Sequence, residues 1–125
     1  MLDRIIYTSL FVTDQDRALD FYTNVLGFRQ GIDNPLPEGP RFLTVGVDGQ
    51  DFELVLWPGT PGEGQPVFGR IPAAYTIEVE DCKAAYAELQ QRGVEFETDV
   101  VEHPWGLTAG FRDPDGNRLQ LRQGF

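Results

Sequence analysis

Two polar residues with the same surroundings are the first sign of chemistry in this chain. Glu53 stands in Phe52-Glu53-Leu54, and Gln120 stands in Leu119-Gln120-Leu121. Alternate residues of a strand face opposite sides, so each polar group points away from a leucine that wants burial. A carboxylate at such a place serves as a general base, as an acceptor for a cationic ligand, or as the partner of a nearby arginine. Tyr7 adds a phenol, whose ordinary pKa is about 10. Trp57 and Trp105 offer faces on which a flat aromatic ligand stacks, or simply pack at a core rim. Arg118 and Arg122 share one strand face, where pairing with Glu53 and Glu78 is the simplest account of them.

Two further groups read as quiet. His103 is the one histidine. It precedes Pro104 and Trp105 in a turn-like context, and general acid–base work requires an orienting partner. Cys82 falls in the first turn of a helix, where Glu80 and Asp81 oppose the usual lowering of a thiol pKa, so it is expected to be inert. No dinucleotide fingerprint, P-loop or nucleophile elbow is present.

The elements that must position these groups are legible in outline. IIYTSLFV, residues 5–12, is β-branched and aromatic, and predicts a strand. Asp14 then caps a helix through QDRALDFYTNVLG, with Ala18, Phe21, Tyr22 and Val25 at helical spacing and Gly27 as its stop. RFLTVGV and DFELVLW flank Asp48-Gly49 as a hairpin with a slightly long loop. Residues 58–72 hold four Gly and four Pro without periodicity and read as a loop. A strand AYTIEVE, a helix CKAAYAELQQRG capped by Asp81, and three strands VEFETDVVE, LTAGFR and NRLQL follow, with EFETDV polar enough for a sheet edge.

The order repeats. Asp14 and Asp81, Val12 and Val79, Asp48 and Asp115, Gly49 and Gly116, and Leu54 and Leu121 are all 67 residues apart, and the same spacing carries Glu53 onto Gln120. The expected fold class is α+β: two βαβββ units in one domain, 1–125, with a first unit at about 1–57, a loop at 58–72 and a second unit at about 73–125. Leu10, Val12, Leu54 and Leu56 face the first helix, and Ile77 and Val79 the second. The opposite face carries Tyr7, Ser9, Phe11, Glu53, Val55 and Trp57 in one unit. In the other it carries Ala74, Thr76, Glu78, Arg118, Gln120 and Arg122. A mixture of aromatic and placed polar groups suits the lining of a cleft.

Composition bounds the rest. Ten Lys and Arg against twenty Asp and Glu give a net charge of −10, which repels phosphate backbones and argues against nucleic acid. No apolar run approaches the roughly 18 residues of a bilayer span. The start MLDRIIYTSL has an acid at Asp3 and no apolar signal region, and a single cysteine fits a reducing compartment. The expected location is therefore cytoplasmic.

VTDQDRALDFYTNVLGF, VEDCKAAYAELQQRGVEF and PWGLTAGFRDPDGNRLQL together resemble the vicinal oxygen chelate superfamily, which includes glyoxalase I, bleomycin-resistance proteins and extradiol dioxygenases. The resemblance spans nearly the whole chain. It implies paired βαβββ half-barrels around a cleft, a homodimer, and metal-ligand positions at Tyr7, Glu53, Ala74 and Gln120. Ala74 has no donor atom, Tyr7 is a poor ligand and Gln120 a neutral amide, so Glu53 alone is a conventional ligand. The expectation is a small-molecule-binding protein of the glyoxalase/bleomycin-resistance type with no cofactor. Its ligand, cationic or aromatic, meets Tyr7, Ser9, Glu53, Trp57, Thr76, Trp105 and Gln120. The alternative is a metal-dependent lyase, isomerase or dioxygenase with an irregular metal site. A third reading, an interaction module without a ligand, follows if Tyr7, Phe11 and Trp57 fill the space themselves.

Overall fold

A computed structural model describes residues 1–61 and 75–125 in full, and the backbone of Val67–Phe68 and Ile71–Pro72. Ala74 lies outside the described residues. The chain divides into two compact units, Met1–Pro61 and Gly62–Phe125, in a mixed α+β architecture.

In the first unit β1 (Tyr7–Val12) leads into α1 (Gln15–Asp20), which widens into a π-helical segment, Phe21–Val25. Asp14 caps α1 as its side chain accepts the Arg17 N–H at 3.1 Å. The chain then reverses at Gly27, whose φ of 80° suits a residue without a Cβ. Three strands follow: β2 (Arg29–Pro35), β3 (Arg41–Gly46) and β4 (Glu53–Pro58). The sheet order is β1-β4-β3-β2, with β1 and β4 parallel and the other pairs antiparallel. Leu10, Val12, Leu43, Val45, Leu54 and Leu56 are buried with Ala18, Phe21 and Tyr22 of the helical segment. Each such aliphatic side chain contributes roughly 1.5–3 kcal/mol by leaving water. Gln15 fastens the helix to the sheet, donating from Nε2 to the carbonyls of Arg41 at 2.8 Å and Leu56 at 2.9 Å.

The stretch expected to be one featureless loop contains a small hairpin instead. Here β5 (Val67–Phe68) pairs antiparallel with β6 (Ile71–Pro72), because two apolar dipeptides are close enough in sequence to form a two-rung ladder. In the second unit β7 (Tyr75–Glu78) precedes α2 (Cys82–Gln91), capped by Asp81, which accepts the Ala84 N–H at 3.0 Å. VEFETDVVE forms not one strand but two, β8 (Glu95–Phe96) and β9 (Val101–His103), both paired with β10 (Gly106–Arg112). Past Glu97, whose N–H still donates to the Gly110 carbonyl, the polar Thr98–Asp99 stretch lies outside both strands. With β11 (Arg118–Gly124) the order is β7-β11-β10-β8, and β7 and β11 are parallel.

Asp113 locks the turn into β11. Its Oδ1 accepts the N–H groups of Asp115 at 2.9 Å and Asn117 at 2.8 Å, while Oδ2 accepts from Asn117 Nδ2 at 3.0 Å. The opening of β11 is thereby fixed, and with it the register that sets Leu119 and Leu121 inward and Gln120 on the opposite face. Among the described residues no helix is long and apolar enough to cross a membrane.

Candidate functional site

The parallel pairing of β1 with β4 sets Tyr7 beside Glu53, Ser9 beside Val55 and Phe11 beside Trp57, one face of the sheet. Leu10 and Leu56 lie opposite each other on the buried face. Tyr7 and Ser9 are exposed, Phe11 and Trp57 half-buried. Tyr7 meets Phe42 edge-on, with ring centroids 5.7 Å apart. An open depression of about 550 Å³ lies at this end of the sheet, lined among others by Ile6, Tyr7, Arg29, Gln50 and Glu53.

Glu53 is engaged through both of its carboxylate oxygens. Its Oε2 accepts a hydrogen bond from Arg29 Nη1 within an ion pair. Its Oε1 accepts from the Thr44 hydroxyl at 2.9 Å. Thr44 Oγ1 also accepts the Ile32 N–H at 2.7 Å. The latter bond forms where the β2–β3 register shifts between Gln30 and Asp33, so the threonine side chain takes in a backbone N–H there. A hydroxyl has one proton to give. With the Ile32 N–H pointing at its oxygen, that proton goes to Glu53.

Arg29 is held at several points. Its Nη2 donates to the Gln50 carbonyl at 3.1 Å, and its Nε lies 3.7 Å from Asp48. The Glu53 side chain keeps only 12% of its exposure. The Arg29 hydrogen bond, aided by that from Thr44, holds its carboxyl below the ordinary value, against the upward push of burial. Two glycines make room for the cluster. A Cβ on Gly31 would fall 2.3 Å from Thr44 Oγ1 and 2.7 Å from both Glu53 oxygens, and one on Gly46 would fall 2.9 Å from Arg29 Nη2.

The arginine partner of Glu53 is thus Arg29, not Arg118 or Arg122 as their shared strand face suggested. Arg118 Nε donates to Glu97 at 2.9 Å, and Arg112 pairs with the same carboxylate. Arg122 lies over the Trp105 ring at 5.0 Å from its centroid. Trp105, 47% exposed, is stacked on His103 with centroids 4.6 Å apart and planes 2° from parallel. His103 therefore closes a strand and a ring stack, where a turn was expected, and its Nε2 lies 2.8 Å from the Thr108 hydroxyl. Cys82 is fully buried, and burial together with Asp81 pushes its thiol up, in line with an inert role.

In the second unit Gln120 is half-buried and Thr76 exposed, and the two are neighbours across β11 and β7. A spacing of 67 would have put residue 74 at that register position, but Thr76, two residues later, is the partner of Gln120. Sequence reasoning missed Arg29, Gly31 and Thr44. Arg29 and Gly31 lie in β2, whose RQGIDNP run has neither alternation nor β-branched enrichment apart from Ile32, and Thr44 lies in β3, facing them.

The divalent metal implied by the resemblance does not fit these residues. Both oxygens of Glu53, the one conventional ligand, already accept hydrogen bonds, one of them from a guanidinium. Among the described residues no group of three or more His, Cys, Asp or Glu side chains gathers into a set that could hold a metal ion.

The family model for the Glyoxalase/Bleomycin resistance protein/Dioxygenase superfamily matches residues 4–121. The uncharacterized protein YurT of Bacillus subtilis (strain 168) is 34% identical over 125 residues, covering 96% of this chain and 98% of that protein. Lactoylglutathione lyase of Neisseria meningitidis serogroup B (strain ATCC BAA-335 / MC58) is 29% identical over 128 residues, covering 96% and 90%. The crystal structure of TnmS3, an antibiotic binding protein from Streptomyces sp. CB03234, superposes with a TM-score of 0.81 at 34% identity, covering 99% of this chain and 98% of that one.

Proposed function

The chain belongs to the Glyoxalase/Bleomycin resistance protein/Dioxygenase superfamily, and we propose that within it this protein binds a small organic molecule rather than catalysing a metal-dependent reaction. The observation that carries the reading is the partly open face of β1 and β4, with Tyr7, Ser9, Phe11 and Trp57 beside a carboxylate already neutralised by Arg29. Such a face combines aromatic surface with a few fixed polar groups, as ligand sites do. The likeness to an antibiotic binding protein supports it.

The chemistry favours a flat aromatic ligand. Trp57 supplies a stacking surface, Tyr7 and Ser9 hydroxyls for hydrogen bonds, and Glu53 the lone pairs that its bonds to Arg29 and Thr44 leave over. In the second unit the proposed contacts are Thr76, Trp105 and Gln120. The net charge of −10 adds only a long-range, salt-screened pull on a cation. The proposed partners are thus a small molecule and, from the family, a second copy of the chain.

Titration of the purified protein with glycopeptide antibiotics and polycyclic aromatic metabolites, read by tryptophan fluorescence, tests the proposal. Saturable binding weakened at least tenfold by Trp57→Ala, with the fold intact by circular dichroism, is expected. No saturable binding across the panel overturns it, as does a stoichiometric Ni, Zn, Fe or Mn that survives dialysis and is lost in Glu53→Gln.

A further inference from the structure

We infer that Arg29 is the built-in cation of this site: its guanidinium neutralises Glu53 from within the protein and bars a divalent ion from that carboxylate. The inference stands on the geometry of the first unit and does not depend on which organic ligand, if any, is bound.

Three features support it. The guanidinium is fixed by contacts at all three of its nitrogens, to Glu53, to the Gln50 carbonyl and to Asp48, so it cannot swing away without losing all of them. A planar fork of this kind is better preorganised for a carboxylate than a lysine would be. The second oxygen of Glu53 is capped by a hydroxyl whose own orientation is dictated by the Ile32 N–H. A cation arriving from solvent would meet the positive guanidinium at one oxygen and a donor chain at the other. Lastly, Gly31 and Gly46 leave no room for a larger residue against Thr44, Glu53 and Arg29, so the backbone itself is shaped around the pair.

The second unit provides a reference. Gln120 stands opposite Gly110 as Glu53 stands opposite Gly46, and an amide has no charge to neutralise. There the residue beside the glycine is Glu97, whose N–H donates to the Gly110 carbonyl at 2.9 Å, where Arg29 stands beside Gly46. At these matched register positions a base accompanies the acid in the first unit, and an acid accompanies the amide in the second.

Added Mn²⁺ is the probe, read by paramagnetic broadening of backbone amide NMR signals in the wild type and in Glu53→Gln, Arg29→Gln and the double variant. Wild type and Glu53→Gln are expected to broaden alike, through surface carboxylates such as Asp48 and Asp51. Arg29→Gln is expected to show at least fivefold greater broadening at Thr44, Gly46 and Glu53, and the double variant to lose that gain. Arg29→Lys, which keeps the charge but not the fork, should fall between the wild type and Arg29→Gln. Broadening of those amides in the wild type that disappears in Glu53→Gln overturns the inference. So does an Arg29→Gln protein no more responsive than the wild type, or a gain that persists in the double variant. Should Arg29→Gln fail to fold, the comparison of wild type with Glu53→Gln still decides whether an ion reaches the carboxylate.

Discussion

The two units build nearly the same sheet and furnish it with different charges. In the first, the polar residue opposite the glycine is an acid, Glu53, and the residue on the far side of that glycine is a base, Arg29. In the second, the corresponding pair is the amide Gln120 and the acid Glu97, and Glu97 turns to Arg112 and Arg118. Thr44 ties a backbone N–H to Glu53, whereas Thr108, at the matching place on β10, meets His103. Backbone hydrogen bonding and the apolar layer dictate the shared scaffold. The charge pattern on the other face is free to differ, because each arrangement only has to satisfy its own donors and acceptors. The two units therefore differ most on the face that the repeat does not preserve.

The comparison is easiest to break at its charged pair. Arg29→Leu strands a carboxylate that is mostly buried. The expected loss is about 2–3 kcal/mol in chemical denaturation, below the roughly 3–5 of a fully buried pair because Arg29 is partly exposed. Glu97→Gln in the other unit is expected to cost only about 1 kcal/mol, since the amide oxygen still accepts from Arg112 and Arg118, whose side chains keep 45% and 26% of their exposure.

The two glycines sharpen it. Gly46→Ala pushes a Cβ to 2.9 Å from Arg29 Nη2 and 3.1 Å from Glu53 Cγ, whereas at Gly110 the nearest atom is the Leu119 carbonyl oxygen at 3.8 Å. The first substitution should destabilise by about 1–3 kcal/mol through overpacking. The second should be neutral or stabilise by up to about 1 kcal/mol by stiffening the unfolded chain. Thermal melts of both variants check the contrast. Thr44→Val removes the acceptor of the Ile32 N–H and a donor to Glu53, at an expected cost of about 1–2 kcal/mol. Thr108→Val, losing one bond to a half-exposed imidazole, should cost less.

Acidity supplies the gentlest probe. The folded pKa of Glu53 lies below its unfolded value. Its contribution is therefore fully present above the ordinary carboxylate range and is lost as pH falls through the lowered pKa. Melts between neutral and strongly acid pH should lose less stability in Glu53→Gln than in the wild type, since the variant has nothing left to protonate there.

What was legible in the chain was local. The caps Asp14 and Asp81, the stop at Gly27 and the Asp-Gly pairs at 48–49 and 115–116 declare themselves within a few residues, so the repeat and the superfamily followed from them. The alternation around Glu53 and Gln120 placed both on the correct face. The partner of Glu53 was not legible, because it sits 24 residues away on a strand rich in Gly, Asn and Asp. Arg118 and Arg122 looked suited to Glu53 because faces can be read from a strand's period. Distance across a sheet cannot, since it depends on a register fixed by turns and by the irregularity in β2. His103 was misread for the same reason: Pro104 and Trp105 suggested a turn, and only the pairing of β9 with β10 brings its ring to Thr108.

A double-mutant cycle over Arg29→Gln and Glu53→Gln, measured by urea denaturation at neutral pH and again well below the ordinary carboxylate range, tests the central claim most directly. A coupling of about 1–3 kcal/mol at neutral pH that collapses in acid is the result expected of a guanidinium neutralising a carboxylate. Coupling indistinguishable from zero at both values would contradict it, and would mean that Glu53 is held by something other than Arg29.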